Sequence, residues 1–317
     1  MCYVSNLVRD NFQLVARGGL EWIECPILSR IPHMLHAFSL RRGGASRTPA
    51  PSLNLGFTPQ ASRIQVEENR RRFFRQLGAG EFTLASLRQT HASVVFLATR
   101  DTSDALTYQL AGSSGVQTAG GALPEGDALL TNQPGLLLSV RTADCLPVLL
   151  ADPRPRAVGV VHAGWRGALA RIVAKAVGEM RRLFGSQPED LRAALGPSIR
   201  VCCYEVGQEV VDAFCGRFTE GERFFRRHSS GRGTAPVAAT PLSSLPVYPP
   251  GHAPEVSGAA HLDLVAVAQA QLLGAGLRAT QIQTVPFCTA CRTDLFFSHR
   301  REGSLTGRMM GVIGIRP

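Results

Sequence analysis

The chain of 317 residues contains one lysine, Lys175; every other basic residue is arginine. With 34 basic against 24 acidic residues the formal net charge is +10. The arginines are scattered and mostly lack aromatic neighbours, so no nucleic-acid-binding stripe is expected. Guanidinium groups in this arrangement suit a solvated surface or a site for small phosphorylated anions. Cysteine is sparse, at 8 residues, and residues 1–20 lack an apolar core after a basic start. A disulfide scaffold and a secretory signal are therefore not expected, and a reducing cytoplasm is. No run of about eighteen apolar residues marks a membrane span. There are 8 histidines and no His-X-His pair, which disfavours an oxidase needing several coppers. A Walker A loop and a Gly-X-Gly-X-X-Gly after a strand are also missing, so ATP and NAD folds find no support.

What is present is enough apolar sequence for a large core, 44% of residues. Residues 1–24 are expected as an N-terminal extension with no assigned structure. From there, Ile27 to Leu40 reads as a strand leading into a turn at Gly43-Gly44. Val66 to Leu77 reads as a core-facing helix closed by Gly78. Strands are expected at 82–87, 93–98, 135–140, 146–150, 157–161, 191–195, 282–285 and 310–315. Helices are expected at 167–184, 206–214 and 262–274. Residues 228–260, rich in Ser, Gly, Pro and Ala, read as a loop insertion. Helices and strands mix without strict alternation, which argues against a doubly wound sheet.

His91, Cys145 and His162 each sit in a short polar break beside an apolar run. Two imidazoles and one thiolate can hold Zn²⁺ and leave a fourth position open, as catalytic zinc sites do. Buried cysteine is more often a small hydrophobe, but the polar Asp144 and the Pro147 that flank Cys145 keep a break inside apolar sequence. Cu²⁺ can occupy the same donors. Without metal, Cys145 can act as a nucleophile. Small residues after His162 let backbone approach a ligand closely. Asp144 joins Cys145 and His162 as a candidate catalytic group. Arg41, before Gly43-Gly44, is a candidate phosphate fork. Asn54 and Arg166 are further candidates for substrate contact, the latter at a helix start. Cys288 and Cys291 form a Cys-X-X-Cys, read first as structural packing because Cys202-Cys203 has the wrong spacing for a chelate, with a minor metal or redox role left open. His33, His36, His228, His252 and His261 lack comparable settings, and His299 is expected in a supporting role.

Several segments carry a resemblance: Phe-Ser-Leu-Arg-Arg-Gly-Gly-Ala-Ser (38–46), Ser-Leu-Asn-Leu-Gly (52–56), Arg-Thr-Ala-Asp-Cys-Leu-Pro-Val (141–148), His-Ala-Gly-Trp-Arg-Gly (162–167), Leu-Gly-Pro-Ser-Ile-Arg-Val-Cys-Cys-Tyr-Glu-Val-Gly (195–207) and Phe-Phe-Ser-His-Arg-Arg-Glu-Gly (296–303). Together they resemble the laccase-domain (multicopper polyphenol oxidase) proteins, also called peptidoglycan editing factors and purine nucleoside phosphorylases. The resemblance covers roughly 25–317. It implies a single α+β domain over those residues, with two mixed sheets between helical layers. It also implies zinc on His91, Cys145 and His162. The activities implied are phosphorolysis of adenosine, inosine and 5′-methylthioadenosine, with adenosine deamination, on purine nucleosides and phosphate as partners. The rival readings are a cysteine hydrolase acting on peptidoglycan precursors, a copper polyphenol oxidase and, last, a non-enzymatic binding module. The oligomeric state stays open.

Overall fold

The computed structural model describes residues 8–9, 12–46, 52–59, 61–113, 115–118, 121–227 and 259–317. Most of the 228–260 segment, with His228 and His252, lies outside the described residues.

Two large mixed sheets lie face to face. The seven-stranded sheet runs in the order Val8–Arg9, Phe12–Arg17, Leu20–Glu24, Met34–Ser39, Met309–Ile315, Leu136–Thr142, Thr83–Ser86. The eight-stranded sheet runs Ile282–Thr284, Arg192–Leu195, Leu146–Asp152, Ala157–Ala163, Ala128–Thr131, Val95–Arg100, Leu106–Leu110, Val116–Thr118. A small third sheet pairs Ala260–Leu262 with Glu205–Val206 and Phe225–Arg227.

Side-chain alternation explains why the central strands read as unbroken apolar runs. Successive residues of a strand face opposite sides, and here both sides are covered. In Leu146–Asp152, the side chains of Leu146, Val148 and Leu150 pack under the helices Ile172–Phe184 and Leu264–Gly274. Leu149 and Ala151 pack instead against Phe38, Leu138 and Ile313 of the other sheet. On the far side, Leu137, Met310 and Val312 meet Phe73 and Leu77 of the helix Arg63–Leu77. The layers are thus helix, sheet, sheet, helix, as expected from the resemblance.

The structure departs from the sequence expectations in several places. Residues 12–24, expected as part of an extension, form two strands of the seven-stranded sheet, with Leu20, Trp22 and Ile23 buried. Pro26 opens a helical turn, Pro26–Ser29, so the strand expected from Ile27 begins only at Met34. The helix expected over 167–184 is two helices, Trp165–Leu169 and Ile172–Phe184, separated by Arg171 in the left-handed region at φ 60°. Buried Gln271 spans that break: its amide donates to Ala168 O at 2.7 Å and its oxygen accepts from Ala174 N at 3.4 Å. The helix expected over 262–274 is shorter, because Ala260–Leu262 is a strand and Asp263 caps Leu264–Gly274 through Val265 N and Ala266 N.

Candidate metal centre and its cavity

The pairing of two strands brings Cys145 to His162. Leu146–Asp152 and Ala157–Ala163 are antiparallel, with Pro147 opposite His162 and Leu146 opposite Ala163. Cys145 stands just before the first strand, and His162 lies near the end of the second. Residues 158, 160 and 162 share the face turned toward the other sheet, so His162 sits at the rim of the inter-sheet layer. His91 arrives from the connection between Thr83–Ser86 and Val95–Arg100. Its backbone is left-handed at φ 60°, an uncommon state for a residue with a Cβ.

One residue that the sequence did not single out, Asp127, holds this loop in place. Its buried carboxylate accepts the backbone N–H groups of Thr90 (3.2 Å), His91 (3.1 Å) and Ala92 (2.8 Å). The same carboxylate meets His162 Nδ1 at 2.7 Å. His162 N also donates to Asp127 O at 2.7 Å. Burial works against the Asp127 anion, but the His162 contact and the backbone N–H groups outweigh it and hold its pKa below the ordinary value. With Nδ1 engaged, His162 presents Nε2 to the centre, the usual way an outer carboxylate fixes a metal-binding imidazole.

The ligand atoms of His91, Cys145 and His162 all lie within 4.8 Å of one another. Cys145 Sγ is 3.7 Å from His91 Nε2, and the two imidazole rings are edge to face at 4.9 Å. Donors bound to one Zn²⁺ at about 2.0–2.3 Å in a tetrahedron stand roughly 3.3–3.8 Å apart, so the set fits a single ion. Burial alone would raise the Cys145 thiol; the His162 charge, with hydrogen bonds from both histidines, overcomes it and brings the pKa down to about 6. Burial would lower His162, but Cys145 and Asp127 push it up to about 9. In the absence of a cation these two groups form a thiolate–imidazolium pair. Gly164 leaves room for the arrangement: a Cβ there would lie 2.9 Å from His91 Cδ2 and 3.1 Å from Cys145 Sγ.

The centre opens on a cavity of about 650 Å³. Gln89, Arg141, Trp165, Arg166, Tyr204 and Arg308 are among its walls. Arg141 is anchored through Leu87 O at 3.0 Å, and its own backbone is paired with Gln89 through two hydrogen bonds. Burial, then the neighbouring Arg308 charge, lowers the Arg141 pKa; burial also lowers Arg308. Among the described residues neither forms an ion pair with a carboxylate. The two guanidinium groups give this wall a positive character, with Asp144 and Cys145 as the opposing charges near Arg308.

The other candidates take different places. Asp144, left-handed at φ 92°, accepts from Thr289 Oγ1 (2.5 Å), Ser298 Oγ (3.1 Å) and Arg300 N (2.7 Å). Its carboxylate is occupied by loop contacts, which gives it a positioning task beside Cys145. Arg166 lines the cavity and lies over Trp165, 4.5 Å from the ring. Asn54 stands just behind the wall, its Oδ1 accepting from Gly56 N (3.0 Å) and Arg308 N (2.8 Å). His299 lines the cavity, with Nδ1 against Gly303 O at 3.0 Å. Arg41 does not join the site. Its Nη1 donates to Thr293 O (2.7 Å), Phe296 O (3.2 Å) and Glu302 Oε1 (2.8 Å), and its guanidinium covers Phe297 at 4.5 Å. The Gly43-Gly44 pair beside it serves packing: a Cβ on either residue would collide with the carbonyl oxygen of Gly19 or Ser52.

No helix among the described residues is long and apolar enough to cross a membrane. A family model described as multi-copper polyphenol oxidoreductase laccase matches residues 35–316. The protein named purine nucleoside phosphorylase YlmD of Geobacillus stearothermophilus is 33% identical over 311 residues, which covers 97% of this chain and 98% of that one. Adenosine deaminase RL5, from an unknown prokaryotic organism, is 34% identical over 275 residues, covering 86% and 91%. The crystal structure of YlmD from Geobacillus stearothermophilus matches at a TM-score of 0.74 with 30% identity, over 98% of this chain and 100% of that chain. With its sheets, its His/Cys/His centre and this sequence match over most of its length, the chain belongs to the family described as multi-copper polyphenol oxidoreductase laccase.

Proposed function

We propose that the protein is a zinc-dependent purine nucleoside phosphorylase that acts on adenosine, inosine and 5′-methylthioadenosine and also deaminates adenosine. The observation that supports this reading is one cavity that has a metal-binding triad and two partly buried arginines, Arg141 and Arg308, among its walls. Its volume of about 650 Å³ lies within the range of small-molecule sites. Relatives named for both activities support the same reading.

In phosphorolysis a phosphate oxygen forms a bond to ribose C1′ as the C1′–N9 bond breaks, and the purine leaves with the bonding electrons. Arg141 and Arg308 would hold the phosphate and orient it, since charge-assisted contacts fix an anion's direction as well as its affinity. Trp165 and Tyr204 offer flat faces to the base. Zinc on His91, Cys145 and His162 would supply Lewis acidity and an activated water. Asp127 keeps the proton on His162 Nδ1, so that Nε2 stays a ligand. In deamination water attacks C6 and ammonia leaves, a step with no use for the arginine couple.

The donors fit one ion, and the described residues contain one histidine-bearing metal set; that disfavours chemistry on several coppers. The Cys145–His162 pair favours one second reading, a cysteine hydrolase acting on peptidoglycan precursors, because a thiolate beside an imidazolium is an activated nucleophile. Chromatography of adenosine incubated with the purified protein, with and without phosphate, tests the proposal. Adenine with ribose 1-phosphate in phosphate, and inosine without it, is the expected result. No base release from any purine nucleoside in phosphate sinks the phosphorylase reading and moves the hydrolase to first place.

A further inference from the structure

The small end of the eight-stranded sheet holds a second group of metal-binding side chains, away from the cavity. Strands Arg192–Leu195 and Ile282–Thr284 are parallel neighbours, so the chain leaves both at the same end. The pairing continues beyond them as a parallel bridge between Ser198 and Cys288. The two loops that follow contain Cys202-Cys203 and Cys288-Thr289-Ala290-Cys291. All four sulfurs lie within 4.8 Å of one another. Cys291 Sγ is 3.6 Å from Cys202 Sγ and 3.4 Å from Cys203 Sγ. The spacing judged unsuitable for a chelate is no obstacle in three dimensions, because the adjacent pair turns both sulfurs toward the same point.

The geometry points to a closed tetrathiolate site for one Zn²⁺ on Cys202, Cys203, Cys288 and Cys291. Four sulfurs bound at about 2.3 Å to one tetrahedral ion stand roughly 3.8 Å apart. The observed spacing needs only small adjustments to meet that figure. It is far too tight to place a multi-iron cluster between the sulfurs. All four positions are taken by protein, as in structural zinc sites, and three of the cysteines are buried. A zinc tetrathiolate has excess negative charge, and donors are aimed at the sulfurs to offset it. Arg200 N–H points at Cys288 Sγ at 3.4 Å. Arg301 Nη2 stands 3.7 Å from Cys203 Sγ, and its Nε donates to Ala290 O at 3.0 Å. Hydrogen bonds of this kind orient ligands and tune a metal site. Paired disulfides fit less well, because Cys202 and Cys203 both approach the same Cys291 sulfur.

The site would act as a clamp. Tyr204, next to Cys203, lines the cavity. Thr289, inside the Cys-X-X-Cys, donates to Asp144, which precedes Cys145. Zinc would therefore fix two loops that shape the cavity wall without touching the reacting atoms.

The test uses the full chain with Cys145→Ala, which removes the sulfur ligand of the cavity centre and makes the result independent of what that centre does. Protein purified under reducing conditions is expected to retain one zinc per chain. After removal of that zinc by chelation, titration with Co²⁺ should give the intense thiolate-to-cobalt absorption of four-sulfur coordination, saturating at one equivalent. Adding Cys288→Ser and Cys291→Ser should abolish both signals. Where the serine variants do not fold, the chelated Cys145→Ala protein decides alone: cobalt absorption without sulfur character overturns the site. So does a thiol count that falls short of seven per chain, with a matching mass loss, since it would mean disulfides in place of a thiolate cage. Zinc that remains at one equivalent in the folded serine variants also overturns it.

Discussion

The two clusters of metal-binding side chains use the same chemistry to opposite ends. At the cavity, His91, Cys145 and His162 supply three donors, and His91 is exposed. A fourth position there faces open space large enough for a nucleoside. At the sheet's end, Cys202, Cys203, Cys288 and Cys291 supply four donors and face protein. Open coordination is a property of catalytic sites and closed coordination of structural ones. The supports differ in the same sense. The first centre rests on a carboxylate, Asp127, that holds imidazole and loop together. The second has N–H donors aimed at sulfur. The lesson is that donor count and surroundings, more than donor identity, separate a working metal from a holding one.

The largest way to break the contrast is to remove a ligand from the open centre. Cys145→Ala should lose the cavity zinc and lower kcat/KM for nucleoside cleavage by on the order of 100-fold or more, while the folded chain keeps its melting temperature within a few degrees. Metal analysis with steady-state kinetics checks this; unchanged kinetics would show that Cys145 is packing. Next comes the support. Asp127→Ala frees His162 Nδ1 and the 90–92 loop, and should weaken zinc binding by about 10–100-fold, measured by chelator competition. Equal affinity in wild type and variant would assign Asp127 to the loop alone.

A smaller effect separates the two arginine settings. Arg308→Ala or Arg141→Ala should raise the KM for phosphate about tenfold or more, as expected when about 1.5–3 kcal/mol of charged hydrogen bonding is lost, with deamination much less affected. Arg41→Ala should leave that KM alone and instead cost about 1–3 kcal/mol of stability, because its bonds go to Thr293, Phe296 and Glu302. A phosphate KM that responds to Arg41 and not to Arg308 would reverse the assignment. The smallest expected effect concerns pH. Burial opposes the Glu302 anion, but Thr306 and Arg41 outweigh it and hold its pKa below 4.5. A lowered folded pKa means stability that is present above the unfolded value and lost as pH falls through the folded one. Acid unfolding below about pH 4.5 should therefore be shallower in Glu302→Gln than in wild type; identical slopes would remove Glu302 from the account.

How much of this was legible in the sequence depended on how local each signal was. The helix closed by Gly78 could be read because its apolar spacing and its stop lie within sixteen residues, and Gly78 is left-handed at φ 79°. Cys145 and His162 could be read because each is a polar break at an apolar strand run, whereas His91, in the loop before Val95–Arg100, had weak local support and was carried mainly by the resemblance. Asp127 could not: in Pro-Glu-Gly-Asp-Ala-Leu-Leu it looks like a turn acid before a strand, and only the pairing of Ala128 with Val161 places it under His162. The one available hint was an acid abutting a short apolar run, Ala128 to Leu130. Arg141 and Arg308 were hidden among 33 arginines because what distinguishes them is their partly buried place in the cavity wall, which only the fold creates. Arg41 was misplaced because a Gly-Gly pair signals close backbone approach, and the sequence does not say to what. The four cysteines meet only through the parallel pairing of strands some ninety residues apart, which no local pattern encodes.

The hydrogen in place of a side chain at Gly164 makes scaffold and chemistry separable by a single carbon atom. Its backbone, at φ −76° and ψ 173°, is one that alanine adopts freely, so Gly164→Ala has no reason to unfold the chain. The added methyl would wedge between His91 and Cys145 and prise the donors off a common point. The product would be a whole, folded replica of the protein with its cavity and arginine couple in place and its centre sprung. Phosphate and nucleoside binding to that replica, by calorimetry, would measure how much recognition the cavity achieves by shape and charge before any metal takes part.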